Sequence, residues 1–236
     1  MKKFGGVLSI LLVAGFAAGL AVASSKNNAA YAFVRGLVSS LRSTDISEND
    51  HWRTKVDEFR QFEGHADIVM VGDSLVENAQ WQELFPEVSI INRGISGDGV
   101  DGVLLRLDQI TAATPRMVFI MLGVNDIRAS TDAEQVAASY GKIITRLAAV
   151  NEVIVQSTLF TTSETKNNAA IRRLNKGLVF LCSKAPNCRF LDLNAILATN
   201  DQLLSVFTLD GLHLNGNGYR LWAREVSQLI LPDGLD

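Results

Sequence analysis

The sequence predicts an α/β domain built around a parallel sheet. Short apolar runs rich in β-branched residues recur along the chain, and helical patterns of roughly 10–20 residues separate them. Strands that alternate with helices form βαβ units, whose helices cover both faces of the sheet. The predicted strands are 67–71, 88–91, 116–122, 153–156 and 189–193.

The predicted helices follow from apolar spacing and from signals at helix ends. Thr131 and Glu134 form a capping box, which predicts that a helix begins there. Further helices are predicted over 168–181 and 215–231 from apolar residues at helical spacing. No Pro/Gly/Ser-rich linker interrupts the later part of the chain, so we expect one domain over 51–236.

Composition excludes several classes of function. Hydrophobic residues make up 47% of the chain and charged residues 20%, which is enough apolar material for a folded core. A net charge of −3 argues against a protein that binds nucleic acid by neutralising phosphates. Two cysteines exclude a four-cysteine zinc site, and three histidines leave little room for a metal cluster. We therefore expect no metal, no cofactor and no nucleic-acid partner.

The N-terminal segment 1–25 is predicted to form a hydrophobic helix that precedes the domain. Lys2 and Lys3 are followed by an uncharged stretch over 4–25, long enough at about 1.5 Å per residue to cross a bilayer. The sequence leaves open whether this is a retained signal anchor or a cleaved signal peptide, since 21–23 (Ala-Val-Ala) matches a cleavage site. Residues 26–50 carry apolar residues at helical spacing, which indicates a juxtamembrane helix or linker.

Both alternatives place the domain in the cell envelope, because the two lysines stay on the cytoplasmic side. We expect it anchored in the inner membrane through residues 4–25, or periplasmic or secreted if that segment is removed. An oxidising compartment allows Cys182 and Cys188, which flank a predicted turn, to form a local disulfide. The sequence does not decide whether they pair.

Chemistry is expected at the carboxyl ends of the strands, where open α/β sheets bind their ligands. Three polar segments follow predicted strands, and a fourth precedes the last helix. They are Gly72–Leu75, Asn92–Gly94, Gly123–Asp126 and Asp210–His213.

Three residues in these segments form a candidate nucleophilic site. Ser74 lies at a strand-to-helix turn, where the helix N-terminus favours a developing negative charge. A serine hydroxyl needs a base, and His213 with Asp210 three residues before it has workable spacing for one. The amides of Ser74 and Gly94 and the side chain of Asn125 are the candidate oxyanion donors. Taken singly, each residue is also explained as a cap or turn residue.

Four ordered blocks carry a family resemblance: GDSL at 72–75, NRG at 92–94, GVND at 123–126 and DGLH at 210–213. The sequence resembles the GDSL (SGNH) hydrolase family over roughly residues 65–230. Within it, the run at 92–110 is most similar to bacterial members related to platelet-activating-factor acetylhydrolase subunits and to sugar acetylesterases. The resemblance implies a flavodoxin-like three-layer α/β/α sandwich with a five-stranded parallel sheet. It also implies the site residues: the nucleophile Ser74, the triad partners Asp210 and His213, and an oxyanion hole of Ser74, Gly94 and Asn125.

A competing motif follows the second strand. Gly97, Gly99 and Gly102 match G-x-G-x-x-G, but Asp98 and Asp101 would place two negative charges beside a pyrophosphate. We interpret the segment as a flexible turn bordering the site, with Asp98 capping the next helix.

The sequence therefore predicts a serine esterase that removes small acyl groups, acetyl above all, from glycans or similar envelope substrates. Three alternatives remain open: a lysophospholipase or thioesterase, a transacylase, and a non-catalytic membrane-tethered glycan-binding protein. The sequence does not determine the oligomeric state.

Overall fold

The computed structural model of the protein describes residues 46–62 and 64–230. Five parallel strands form the central sheet: β1 (Ile68–Gly72), β2 (Ile90–Gly94), β3 (Met117–Met121), β4 (Glu152–Gln156) and β5 (Cys188–Leu191). Their order is β2-β1-β3-β4-β5, which is the flavodoxin-like order. The predicted fold class is confirmed.

Helices cover the sheet, and short elements connect them. The helices are α1 (Asp50–Gln61), α2 (Ser74–Glu77), α3 (Trp81–Leu84), α4 (Val100–Leu105), α5 (Leu107–Thr111), α6 (Val124–Arg128), α7 (Ala133–Arg146), α8 (Thr165–Cys182), α9 (Asn194–Leu197) and α10 (Gly216–Ile230). The described residues also form two 3₁₀ turns, Ile46–Glu48 and Ser205–Phe207, and a small antiparallel pair, β6 (Ala198–Thr199) and β7 (Gln202–Leu203).

The core lies in two layers because successive strand residues point to opposite faces of the sheet. In β1, Val69 and Val71 pack into the layer that contains α7 and α8. Their neighbours Ile68 and Met70 pack into the other layer, which is closed by Trp222 of α10. Burial on both faces explains why the strands are continuous apolar runs.

A third apolar cluster attaches α1 to the domain. Trp52 and Val56 pack with Ile95, and the side-chain amide of Gln109 donates to the carbonyl of Val56 at 2.8 Å. This cluster places α1 beside the turn that follows β2.

The segments predicted to meet the membrane, 4–25 and most of 26–50, lie outside the described residues. Within 46–62 and 64–230, no helix combines the length and the apolar character needed to cross a bilayer. The domain boundaries therefore stay a prediction.

Two local predictions were wrong. β2 begins two residues later than expected and includes Asn92–Gly94, because the N–H of Val88 bonds the carbonyl of Phe85 in a turn. The cap of α7 is Asp132, whose side chain accepts the N–H of Glu134, so the predicted capping box does not form.

Cys182 and Cys188 are joined by a disulfide, a question that the sequence left open. Cys182 ends α8 and Cys188 begins β5, with 4.8 Å between their Cα atoms. The bond fixes the turn between helix and strand.

Candidate active site

The nucleophile candidate lies where β1 passes directly into α2. Asp73 is the N-cap: its Oδ1 accepts the N–H of Leu75 at 2.9 Å, and Ser74 is the first residue of the helix. Gly72 permits this tight passage, since a Cβ there would lie 2.5 Å from the carbonyl oxygen of Met121. Asp73 thus does the capping, and the Ser74 hydroxyl is not used for it.

A chain of hydrogen bonds joins the three predicted triad residues. Ser74 Oγ lies 2.9 Å from His213 Nε2, and His213 Nδ1 lies 2.6 Å from Asp210 Oδ2. Asp210 uses its other oxygen to accept the N–H groups of Leu212 and His213, at 2.9 and 2.8 Å. Gly211, with φ of 86°, closes this turn in a conformation that favours glycine.

The electrostatics of this chain favour a charged aspartate. The hydrogen bond from His213, with support from the two backbone N–H groups, holds the pKa of Asp210 well below its usual range. An ionised Asp210 accepts a hydrogen bond from Nδ1–H, which keeps the proton on Nδ1 and leaves Nε2 facing Ser74 as a proton acceptor.

Two of the three candidate oxyanion donors have a hydrogen available for a further acceptor. The N–H of Ser74 has no acceptor among the described residues. Asn125, in α6, donates one Nδ2 hydrogen to the carbonyl of Asp98 at 2.9 Å, which leaves its second hydrogen for another acceptor.

The geometry corrects the assignment of Gly94. Its N–H already donates to Asn92 Oδ1 at 2.8 Å, and the residue is buried within β2. A Cβ at this position would lie 2.3 Å from the backbone nitrogen of Glu77. Gly94 is therefore needed for close packing of β2 against α2, and its amide is not free to meet a substrate.

Gly97 offers the amide that Gly94 does not. The N–H of Asp98 bonds the carbonyl of Ile95 at 3.1 Å, closing a turn in which Gly97 has φ of 79°. Gly97 is exposed, and its N–H has no acceptor among the described residues. The sequence signal was present as the first glycine of the G-x-G-x-x-G match, three residues beyond the end of β2.

Asp98 does not act as the predicted helix cap, nor does it lie in a loose turn. Its side chain is fully buried and forms an ion pair with Arg106, whose Nη2 lies 2.8 Å from Asp98 Oδ2. The N-cap of α4 is Gly99, without a side-chain bond, and Asp126 accepts the N–H of Val100 at 3.3 Å. The sequence pattern did not predict this role for Asp98, because its burial depends on the pairing with Arg106, eight residues further along the chain.

Two more carboxyl groups underlie the site, that of the buried Asp73 and that of the half-buried Asp126. Burial raises the pKa of Asp73 to about 7, and the nearby Asp98 and Asp126 add to the effect. Burial likewise raises the pKa of Asp126 to about 6. Asp73 Oδ2 has no hydrogen-bond partner among the described residues, which is consistent with a carboxyl group that loses its proton reluctantly.

A polar cavity of about 260 Å³ opens beside the His213 ring. An ion pair between Arg128 and Glu164, 3.3 Å apart, forms part of its wall. The other lining residues are Thr161, Thr162, Ser163, Asp210, Gly211 and Leu212. Among the described residues, no cluster of His, Cys, Asp and Glu side chains is arranged to hold a metal ion.

A serine, a histidine and an aspartate hydrogen-bonded in series at the carboxyl edge of a parallel sheet form the arrangement that serine hydrolases use. The model of the GDSL-like lipase/acylhydrolase family matches residues 70–221. The chain belongs to this family and is a carboxylic ester hydrolase.

Similar proteins support this assignment. Human platelet-activating factor acetylhydrolase IB subunit alpha2 is 27% identical over 202 residues, which cover 79% of this chain and 86% of that protein. Two solved structures share the fold. A GDSL-like lipase from Bacteroides thetaiotaomicron is 20% identical, with a TM-score of 0.63 over 76% of this chain and 96% of that one. An acetylxylan esterase from Geobacillus stearothermophilus is 17% identical, with a TM-score of 0.57 over 72% and 96%.

Proposed function

We propose that the chain is a serine esterase in which Ser74 is the nucleophile, His213 the general base and Asp210 the group that orients His213. The observation that carries this proposal is the continuous series Ser74 Oγ–His213 Nε2–Nδ1–Asp210 Oδ2, with distances of 2.9 and 2.6 Å. Each bond joins the pair of atoms that the transfer of a proton from serine to histidine requires.

The reaction proceeds through an acyl-enzyme. His213 Nε2 takes the proton of Ser74 as Oγ attacks the ester carbonyl, and the π electrons of that carbonyl move to its oxygen. The tetrahedral intermediate collapses, the C–O bond to the alcohol breaks, and imidazolium delivers its proton to the leaving oxygen. Water then attacks the acyl-enzyme by the same route and releases the acid and free Ser74.

The oxyanion is held by the N–H of Ser74, the N–H of Gly97 and the side-chain amide of Asn125. Gly97 replaces Gly94 in this assignment, because the Gly94 amide is bonded to Asn92. Losing one such donor typically lowers kcat by about 10²–10³-fold.

We propose small acyl esters, acetyl above all, of glycans or similar envelope molecules as substrates. The lining of the cavity beside His213 supports a polar alcohol, because hydroxyl groups and the pair of Arg128 and Glu164 can hydrogen-bond it. Among similar proteins, one is an acetylxylan esterase and another a platelet-activating factor acetylhydrolase subunit. The uncharged stretch 4–25 supports a location in the cell envelope, with a membrane anchor or a cleaved signal.

One observation favours a lysophospholipase or thioesterase as the second candidate. Val206 and Leu209, shortly before Asp210, are 63% and 94% exposed. Apolar side chains at the rim of a site can contact a long acyl chain.

The test uses the full chain and p-nitrophenyl esters from acetate to palmitate. We expect turnover that is lost in Ser74→Ala and retained in Ser227→Ala, a control whose hydroxyl donates to the carbonyl of Arg224 in the last helix. An optimum at acetate supports the acetylesterase, and one at long chains supports the second candidate. A folded wild-type chain without turnover on any ester contradicts the proposal.

Two further alternatives, a transacylase and a glycan-binding protein, can be distinguished from an esterase by product analysis and by a binding measurement. A transacylase transfers the acyl group to added sugars in preference to water, so the product ratio identifies it. A glycan-binding protein binds glycan saturably without ester release, and its binding survives Ser74→Ala.

A further inference from the structure

Charged side chains outside the triad hold the turn Ile95–Asp98 from two sides. On one side Glu77, in the helix that Ser74 begins, accepts the N–H of Ser96 at 2.7 Å and also its hydroxyl. On the other side Asp98 and Arg106 form an ion pair in which both side chains are fully buried. Ser96 and Asp98, the two neighbours of Gly97 in this turn, are thus both held by side chains from outside the turn.

Arg106 connects this turn to the strand that leads to the nucleophile. Its Nε and Nη2 both donate to Asp98 Oδ2, at 2.9 and 2.8 Å. Nη2 also reaches the carbonyl of Gly72 at 3.4 Å, two residues before Ser74. One guanidinium therefore contacts both segments whose spacing sets the oxyanion site.

Asp98 in turn holds the third oxyanion donor. Its carbonyl accepts one Nδ2 hydrogen of Asn125 at 2.9 Å, which fixes the orientation of that amide. Its Oδ1 accepts the N–H of Gly99 at 3.0 Å, and Gly102 leaves room for the carboxylate, since a Cβ there would lie 1.9 Å from Oδ1. A displacement of Asp98 would move both the Gly97 amide and the Asn125 amide.

Stability alone is a weak reason for this pair. Taking two charges out of water is costly, and apolar replacements of a buried pair are often neutral or stabilising. Arg106 Nη1 has no hydrogen-bond partner among the described residues, which adds to the cost. The domain already has apolar layers on both faces of the sheet. A positional role explains why the pair is present.

We propose that Arg106 is a positioning residue that, through Asp98, holds the Gly97 and Asn125 donors in register with Ser74. The catalytic consequence rests on the proposed esterase function, whereas the fixing of the turn does not.

The test is the double variant Asp98→Asn/Arg106→Met of the full chain, which leaves no unpaired buried charge. The matched control is Gln109→Leu, which removes another buried side chain three residues beyond Arg106, one that bonds α1. We measure kcat and KM on an acetyl ester, and hydrogen exchange of the backbone amides over 95–99 by mass spectrometry.

We expect kcat to fall by about 10–100-fold in the double variant, as for a misplacement of roughly 1 Å, with KM nearly unchanged. Exchange over 95–99 should accelerate, whereas the control should keep its kcat and the exchange of this turn. In an Asn125→Ala background the double substitution should cost less than in wild type, because one of the two donors through which it acts is already absent. Purely structural damage would instead add to the loss.

A folded double variant with wild-type kcat and wild-type exchange over 95–99 would overturn the proposal. If the double variant does not fold, Arg106→Lys takes its place: a single ammonium cannot reproduce the fork to Asp98 and Gly72, so kcat should fall with KM unchanged. A folded Arg106→Lys chain with unchanged kcat and exchange would overturn the proposal equally.

The exchange measurement distinguishes a failure of the proposed esterase function from a failure of the proposed positioning role of Arg106. Wild type without ester turnover, together with faster exchange in the variant, rejects the esterase and supports the fixing of the turn. Wild type without turnover and with unchanged exchange in the variant rejects both.

Discussion

The carboxyl group of Asp73 should make this domain less stable as the pH rises from about 4 to about 7. Burial raises the pKa of Asp73 to about 7, against 3.8 for an unperturbed aspartate. Between these values the unfolded chain loses a proton that the folded chain keeps, so unfolding is favoured increasingly as the pH rises. Below this pH window the ionisation of Asp73 has no effect on the free energy of unfolding, and above it the destabilisation is complete.

The magnitude follows from the shift in pKa. About three pKa units at about 1.36 kcal/mol each give roughly 4 kcal/mol, a large part of the stability of an ordinary domain. The substitution Asp73→Asn removes the ionisation and keeps an oxygen to accept the N–H of Leu75. We therefore expect the free energy of unfolding of Asp73→Asn, relative to wild type, to increase by about 4 kcal/mol between pH 4 and pH 8.

Urea denaturation at closely spaced pH values measures this difference. Asp50→Asn is the control, because the side chain of Asp50 is 97% exposed, and it should follow the wild-type profile. A difference between Asp73→Asn and wild type that stays constant from pH 4 to pH 8 would refute the reasoning, since it would mean that Asp73 ionises as readily in the folded chain as in the unfolded one.

Three further outcomes are expected. Asp210→Asn should lower kcat by about 10⁴-fold, because an amide no longer holds His213 in the tautomer that accepts from serine; a loss below about tenfold in steady-state assays would contradict this. Asn125→Ala should lower kcat by about 10²–10³-fold with little change in KM; a change confined to KM would show that the amide binds substrate only. Replacing both Cys182 and Cys188 by serine should lower the free energy of unfolding by about 2 kcal/mol, the value for a short closed loop, and leave kcat unchanged; equal stability of the two proteins in urea would disprove a contribution from the disulfide.

Much of the fold was predictable because its signals are local. Each strand is an apolar run that is buried on both faces, so the runs and the helices between them could be read without knowledge of their neighbours. The errors lie at element ends, where single bonds decide. The amide of Val88 turned back to Phe85, and Asp132 took the cap expected from Thr131.

The triad candidates were predictable for a different reason. Ser74, Asp210 and His213 stand beside glycines and turn signals that place them at the ends of elements, and parallel strands bring those ends to one edge. The structure adds the distances between their side chains, which sequence spacing alone does not provide.

The sequence by itself determined the α/β class, the family and the residue types available at the carboxyl edge of the sheet. Only the tertiary structure decided which amides are free: Asn92 occupies the Gly94 amide, and the turn at Ile95–Asp98 exposes the one at Gly97. Only the tertiary structure revealed the burial of Asp98 with Arg106. The physical reason is that hydrogen-bond occupancy and burial depend on every group within a few ångströms, and most of those groups are distant in the chain.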